Sequence, residues 1–345
     1  ATSTATAGAT DDYSPLSGTA VISAGLQSVD VTVAVNDDSL VEGSEIVVLK
    51  LVSTTLSDPE ISIVPLANDM ATVTIADDDG SFVSVLDTSV NESVGNATVT
   101  LSLSNPSVNP IIVSYTVSDG SAKVASLDYT VPATLTASFA AGSTTTTITV
   151  PITDDSLVEG DETVEVSLTS LVSGGPSVSL SGTAGTVTIS DNDNSTISVT
   201  GGSSTEGSAL DYTVSLSNLS DEPTTVTFGI AAGGSAEAAD YTAPVTTEVV
   251  VPANSSTVQF SIATSLDSFV EGNETLQVSL SAVSGTHAGS FTLSGTNATA
   301  TIVDDDAATA TISAVTAAAS EALVPVDGLF QVTLTGASDE ARTVH

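Results

Sequence analysis

The feature that most limits what this chain can fold into is that it repeats itself. Four landmarks return in a fixed order. An early glutamate appears as Glu92 in "VNESVGNATVTLSLSN", Glu206 in "STEGSALDYTVSLSN" and Glu321 in "ASEALVPVDGLFQVTLTG". An Asp-Tyr pair follows at Asp12-Tyr13, Asp128-Tyr129 and Asp240-Tyr241. Next come the acidic stretches "NDDSLVEGSEI", "TDDSLVEGDET" and "SLDSFVEGNET", centred on Glu42, Glu159 and Glu271. A triplet closes each unit, beginning at Asp77, Asp191 and Asp304. Glu42 and Glu159 lie 117 positions apart and Glu159 and Glu271 lie 112 apart; the triplets are separated by 114 and 113. A unit of that length fits one ordinary domain. The repeat divides the chain into 1–79, the later part of a unit; 80–193 and 194–306, two whole units; and 307–345, the opening part of another.

Within each unit the apolar residues alternate with polar ones, as in "TVTLSLS", "TTTITVPI", "TVEVSL" and "GTVTIS". Period-two runs of Val, Ile, Leu and Thr, broken by Gly, Asn, Asp and Ser, predict short antiparallel strands with one buried face. No segment has a convincing helical period. Several such strands per unit predict an all-β chain of tandem β-sandwiches. At 41% hydrophobic residues the chain has enough apolar side chains for real cores, which separates it from a disordered acidic tail.

Charge narrows the function. The chain holds 42 Asp and Glu against Lys50, Lys123 and Arg342, for a formal charge of -39. Nucleic acid is excluded as a partner, because its affinity comes from Lys and Arg neutralising phosphates. Anionic membrane surfaces are disfavoured for the same reason, and no apolar run approaches a membrane span. With 0 Cys there are no disulfides, thiolate zinc sites or cysteine nucleophiles. The two histidines, His287 and His345, sit in no recurring Ser/His/Asp order, and no aromatic sugar platform accompanies the carboxylates. The reading is therefore of a protein that is not an enzyme.

The acids themselves recur at strand ends, where a sandwich can gather them at one tip. In the unit 80–193 these are Glu92, Asp128, Asp154, Asp155, Glu159, Glu162, Asp191 and Asp193, with Asn192 between the last two. In 194–306 they are Glu206, Asp240, Asp267, Glu271, Glu274, Asp304, Asp305 and Asp306. The divided unit supplies Glu321 with Asp12, Asp37, Asp38, Glu42, Glu45, Asp77, Asp78 and Asp79. Two carboxylates about 4 Å apart repel by about 1 kcal/mol in water and about 4 kcal/mol at an effective dielectric of 20. Gathered together they need protons or cations, and hard oxygen ligands in flexible geometry suit Ca²⁺, several ions per domain, better than Mg²⁺. The competing explanation is that Asp, Asn and Gly only mark turns and solubilise the surface; the same ordered set in three units favours the cation.

The order Glu, Asp-Tyr, "DDSLVEG-E", then "D-N/D-D" resembles the Calx-beta domain, a family found in sodium–calcium exchangers, large cell-surface adhesion proteins and bacterial repeat proteins. The resemblance covers nearly the whole chain. It implies seven-stranded immunoglobulin-like sandwiches that ligate several Ca²⁺ ions at one tip through the residues just named. The copies differ: Leu266 stands where the others have the first Asp of the pair, so 194–306 is expected to hold fewer ions or hold them more weakly. Asn192 can still ligate through its carbonyl oxygen.

Joining "SDEARTVH" to "ATSTATAGATDDYS" reproduces the corresponding stretch of the third unit, "SDEPTTVTFGIAAGGSAEAADYT", to within one residue. This favours one period of a longer tandem array over ragged ends, and leaves open subunits that complete one another head to tail by strand addition. No flexible linker separates "DDDGSFVSV", "DNDNSTISV" or "DDDAATATI" from the strand that follows, so ions at the tips are expected to stiffen the array. The functional expectation is a calcium-rigidified repeat of a long extracellular fibre, stalk or sheath on a bacterial surface. Its partners are neighbouring copies of the repeat, with lateral filament contacts. The extender of an adhesin and a calcium-sensing module are the alternatives.

Overall fold

The computed structural model describes residues 2–8, 11–54, 61–63, 69–175, 177–338 and 340–345. The chain divides into two compact units, 1–154 with 162–190 and 155–161 with 191–345. Among the described residues the only helical segments are two single 3₁₀ turns, and no helix is long and apolar enough to cross a membrane.

In the first unit, β1 (Glu45–Lys50) and β2 (Met70–Ile75) form an antiparallel pair. A whole sandwich follows: β3 (Ser81–Val85), β4 (Thr88–Asn91), β5 (Asn96–Leu103), β6 (Ile111–Asp119), β7 (Thr136–Phe139), β8 (Thr145–Pro151), β9 (Glu162–Ser173), β10 (Val178–Leu180) and β11 (Gly185–Ser190). One sheet runs β10-β3-β5-β8 and the other β4-β11-β9-β6-β7. Alternation does the sorting. In β5, "NATVTLSL", the residues Ala97, Val99, Leu101 and Leu103 are all buried between the sheets, and the intervening residues are not.

The second unit repeats this plan with β12 (Ser195–Gly201), β13 (Ser203–Thr205), β14 (Ala209–Leu216), β15 (Thr224–Ile230), β16 (Glu248–Val251), β17 (Thr257–Ala263), β18 (Phe269–Val270), β19 (Glu274–Ser284), β20 (Phe291–Leu293) and β21 (Asn297–Val303). Its sheets run β17-β14-β12-β20 and β13-β21-β19-β15-β16. Its core carries an aromatic stack, Tyr212 on Phe260 at 5.3 Å and Phe260 on Phe228 at 3.9 Å. Beyond it β22 (Ala310–Thr316) and β23 (Leu329–Leu334) form a hairpin, and β24 (Ala337–Ser338) pairs with β18.

The all-β tandem sandwich holds, with two refinements. Each whole sandwich has nine ladder segments where seven strands were expected, because the first strand breaks and pairs with both sheets, and short edge segments add to the count. The break also makes the sheets mixed: β3 and β4 run parallel to β10 and β11, as β12 and β13 do to β20 and β21. At the break in the third repeat, a Cβ on Gly201 would lie 2.4 Å from the Thr299 carbonyl oxygen, so only glycine allows the strand to switch sheets there. At the matching place in the second repeat, the Asp87 carboxylate accepts the Thr186 N–H at 2.8 Å.

Candidate metal centre

The third repeat shows the site whole, within one compact unit. Glu206 sits in the tight turn after β13, tied by its N–H to Val303 O at 3.1 Å and by the Gly207 N–H to Ser265 O at 3.0 Å. Asp267 lies in the loop between β17 and β18, and Asp306 ends the triplet after β21. One carboxylate oxygen from each of Glu206, Asp267 and Asp306 falls within 4.8 Å of the others. Asp240, Glu271 and Glu274 form a second such group. All of the second group, with Glu206 and Asp267 from the first, lines one cleft, together with Ser265, Gly272, Ile302 and Asp304.

The backbone around the cleft is organised by Asp304. Its Oδ2 accepts the Glu271 N–H at 3.2 Å and its Oδ1 accepts the Asp306 N–H at 3.4 Å, so this carboxylate joins the acidic loop to the triplet. Asp77 does the same in the first repeat, accepting from Glu42 N–H at 3.0 Å and Asp79 N–H at 3.2 Å. Asp191 does so too, accepting from Glu159 N–H at 3.3 Å and Asp193 N–H at 2.9 Å. The first acid of every triplet is therefore a loop tie as well as a candidate ligand.

Electrostatics shows strain that protons or cations relieve. Burial, then the charges of Asp267 and Asp306, push the Glu206 carboxyl up to about 7. Its carboxylate accepts the Asp267 N–H, yet Glu206 Oε1 and Asp306 Oδ2 are buried with no hydrogen-bond partner. Buried oxygens that no donor satisfies, aimed among like charges, suit a hard divalent cation. In residues 2–79 the trio Asp12, Glu42 and Glu45 matches the other group, Asp240, Glu271 and Glu274. There burial, then the hydrogen bond and charge of Asp12, push Glu45 up to about 7; Glu42 is raised by burial and by Asp12, Asp38 and Asp77.

The equivalent residues of 80–193 fall in both compact units, and each part repeats the local pattern. In the first unit Glu92 is buried in the 3₁₀ turn Glu92–Val94, capped by Asn91, whose Oδ1 accepts Ser93 N–H at 3.1 Å. Asp128 Oδ2 accepts Lys123 N–H at 2.6 Å, while Glu162 opens β9 and Asp154 is exposed. In the second unit Asp155 Oδ1 accepts Leu157 N–H at 2.6 Å, and the exposed Asn192 lies between Asp191 and Asp193.

Not every expected acid joins a group. Asp37, Asp78 and Asp305 are exposed and belong to none of these carboxylate clusters. Asp38 accepts Leu40 N–H at 2.7 Å, as Asp267 accepts Phe269 N–H at 2.8 Å. Glu321 is exposed on residues 307–345. Leu266 is exposed too, at the place of Asp37 and Asp154. His287 Nε2 sits 2.9 Å from Asp221 Oδ1.

Sequence reasoning overlooked the residue before each central glutamate. Val41 is 3% exposed and belongs to the core of 80–193; Val158 is 0% exposed and belongs to the core of 194–306. Val41 N–H donates to Pro106 O at 2.9 Å and Val41 O accepts Val108 N–H at 3.1 Å. Val158 copies both bonds, with Leu219 O at 2.9 Å and Asp221 N–H at 3.2 Å. Val270 pairs with Ser338, whose Oγ donates to Val270 O at 2.9 Å. Two of the acidic loops thus plug the repeat that follows them, while the third, through the partly buried Val270, only pairs with β24. The available signal was a valine in the same place of three acidic loops.

A β-sandwich whose interstrand loops gather carboxylates into three-ligand groups is a cation-binding domain. The family model of the Calx-beta domain matches residues 1–79, 81–193 and 197–306, and the chain belongs to that family, whose domains bind calcium. The chain is similar to solved structures of the tandem domain CBD12 from CALX1.2 (17% identity, 65% of this chain and 99% of that one, TM-score 0.31). Others are the calcium binding domain CBD12 of CALX1.1 (16%, 64% and 99%, 0.29) and the apo form of the Calx CBD1 domain (24%, 32% and 99%, 0.28). No curated protein matches the chain.

Proposed function

We propose that the chain is a calcium-stiffened structural segment of a long fibre, stalk or sheath outside a bacterial cell, that it catalyses no reaction, and that its partners are further copies of the same repeat. One adjacency carries this reading. Val41 precedes Glu42 and Val158 precedes Glu159, so the residue that plugs the next repeat is bonded to a candidate ligand; Val270 holds the same place before Glu271. Burying a valine contributes about 1.5–3 kcal/mol, enough to hold a loop that is itself held in one shape. Calcium at the tip would supply the positive charge that lets the carboxylates converge. Glu271, Glu274 and Asp240 would hold it as one group, and Glu206, Asp267 and Asp306 as the other. With the cation removed, repulsion opens the loop, the plug loses its fixed base, and the joint loosens.

Small-angle scattering of the chain in calcium and in chelator tests this. We expect chelation to shift the profile towards a more flexible, less extended particle and to speed cleavage by protease at the loops. Superimposable profiles would falsify the stiffening role. The calcium range separates the alternatives: a transition at about 10⁻⁴–10⁻³ M fits an extracellular module, and one at about 10⁻⁷–10⁻⁵ M fits a sensor.

A further inference from the structure

Residues 307–345 contain in part what residues 194–306 contain whole. β22 pairs with β23 in the register of β12 with β14: Ala310 faces Leu334 as Ile197 faces Leu216, and Ile312 faces Val332 as Val199 faces Val214. The burial is opposite. Val199, Val214 and Tyr212 are 5%, 0% and 0% exposed, while their counterparts Ile312, Val332 and Phe330 are 68%, 52% and 70% exposed. The hairpin presents a core face with nothing packed on it among the described residues. It also has a bare edge. β14 is flanked on its other side by β17, Tyr212 opposite Phe260, whereas β23 has β22 as its only ladder partner among the described residues.

The matching strand is present elsewhere in the chain. Counting back from the shared Val-Glu-Gly, residues 28–34 correspond to β17 and β8, with Val29, Val31 and Val33 where β17 has Val258, Phe260 and Ile262. The bridge from Tyr13 to Val35 matches those from Tyr129 to Ile152 and Tyr241 to Thr264, so the correspondence holds in space as well as in sequence. Yet residues 28–34 belong to no ladder among the described residues, and Val29 and Val31 are 42% and 41% exposed. Among the described residues one edge lacks its strand and one strand lacks its edge, both apolar on the same alternation. Open edges with apolar faces are templates for strand addition.

We propose that a second copy of this chain covers the hairpin: residues 28–34 of one copy add antiparallel to β23 of another, completing a sandwich from 307–345 of the first and 2–79 of the second. The register carried over from β14 and β17 sets Val31 opposite Phe330, Asp30 opposite Gln331 and Val29 opposite Val332. The assignment deepens the array reading, and its apolar part does not depend on calcium. A cation site is completed with it. Residues 2–79 form the group Asp12, Glu42 and Glu45 by themselves, but the counterpart of Glu206 is Glu321, and those of Asp267 and Asp306 are Asp38 and Asp79. The second cluster is thus shared between two copies, which links association to calcium by mass action.

The chain has no cysteine, so disulfide trapping is clean. Gln331 and Asp30 correspond to Thr213 and Gln259, which touch across the ladder outside the core, Gln259 Nε2 donating to Thr213 Oγ1 at 3.2 Å. Chains carrying Gln331→Cys and Asp30→Cys, each with one thiol, are mixed and mildly oxidised in calcium. We expect the mixed dimer to exceed either homodimer about tenfold, cross-strand pairs being close enough for a disulfide. Thr72→Cys, on β2, whose counterparts β11 and β21 lie in the sheet opposite β5 and β14, should give none with Gln331→Cys. Homodimers in excess, or monomer alone, would overturn the proposal. In chelator the mixed dimer should persist at lower yield, and Glu321→Gln should remove the gain from calcium while leaving the chelated yield unchanged. A trapped dimer without calcium binding sinks only the calcium reading; bound calcium without the mixed dimer sinks only this one.

Discussion

Residues 2–79 and 194–306 carry the same acidic loop and the same closing triplet, yet they assemble different amounts of the tip. Both form the group built from the Asp-Tyr aspartate and the two loop glutamates: Asp12, Glu42 and Glu45 in one, Asp240, Glu271 and Glu274 in the other. Only 194–306 also forms the group of Glu206, Asp267 and Asp306. The difference is the opening strand. Glu206 stands in the turn after β13, and β13 is laid along β21 in parallel, Thr205 opposite Val303. The tip is therefore two half-sites with separate requirements. One belongs to a single loop and its neighbouring sheet; the other needs the first strand to close over the triplet.

Removing Glu206 should make 194–306 behave like 2–79, and this is the largest effect we expect. Glu206→Gln should abolish binding at one cluster and spare the other, read as a lower calcium stoichiometry by titration or native mass spectrometry, while Asp240→Asn should do the reverse. Glu206→Gln should also change stability with opposite signs. We expect a loss of about 1–3 kcal/mol in calcium and a gain in chelator, where the buried, crowded carboxylate is a burden. Equal shifts under both conditions would mean that the two groups are one indivisible site.

Proton linkage gives the next effect. In the metal-free protein the Glu206 and Glu45 carboxyls sit at about 7, above the ordinary 4.5. The folded state then holds these protons more tightly than the unfolded one, so stability falls as pH rises from about 4.5 through 7. Thermal melts in chelator should drop steadily between pH 5 and pH 8, and calcium, by displacing the protons, should flatten the curve. A flat curve in chelator would show that these carboxyls are not crowded in solution.

The smallest effect concerns Leu266. Restoring the acid found at Asp37 and Asp154, as Leu266→Asp, should tighten calcium binding to the third repeat by about tenfold or less, since affinity follows ligand charge. Leu266 is 69% exposed, so little packing is lost with it. Unchanged affinity would mean that this place does not set the difference between copies.

Strands were legible because alternation is a local signal. β5 and β14 bury every second residue just as their sequences alternate. The acidic positions were legible from their recurrence. What stayed hidden needed partners far along the chain. Asp304 and Asp305 are chemically identical in sequence, yet Asp304 ties two backbone N–H groups and Asp305 faces outwards. Val41 and Val158 look like any strand valine, and their distinction is that they leave their own repeat for the next core. The parallel pairing of β3 with β10 and of β4 with β11 depended on a strand break that no alternation marks.

The bond between Val158 and Glu159 has a consequence for how such a chain can change over generations. Consecutive Cα atoms are about 3.8 Å apart, so no slack separates plug from ligand. An inserted or deleted residue in this loop shifts both together and spoils at least one. The intervals within this chain carry that imprint. From the central glutamate to the triplet the three copies take 35, 32 and 33 residues, yet the nine-residue span ending at Glu45, Glu162 and Glu274 has the same length in each. Length drifts where only a loop is affected, and is held constant where two neighbouring repeats read the same few atoms.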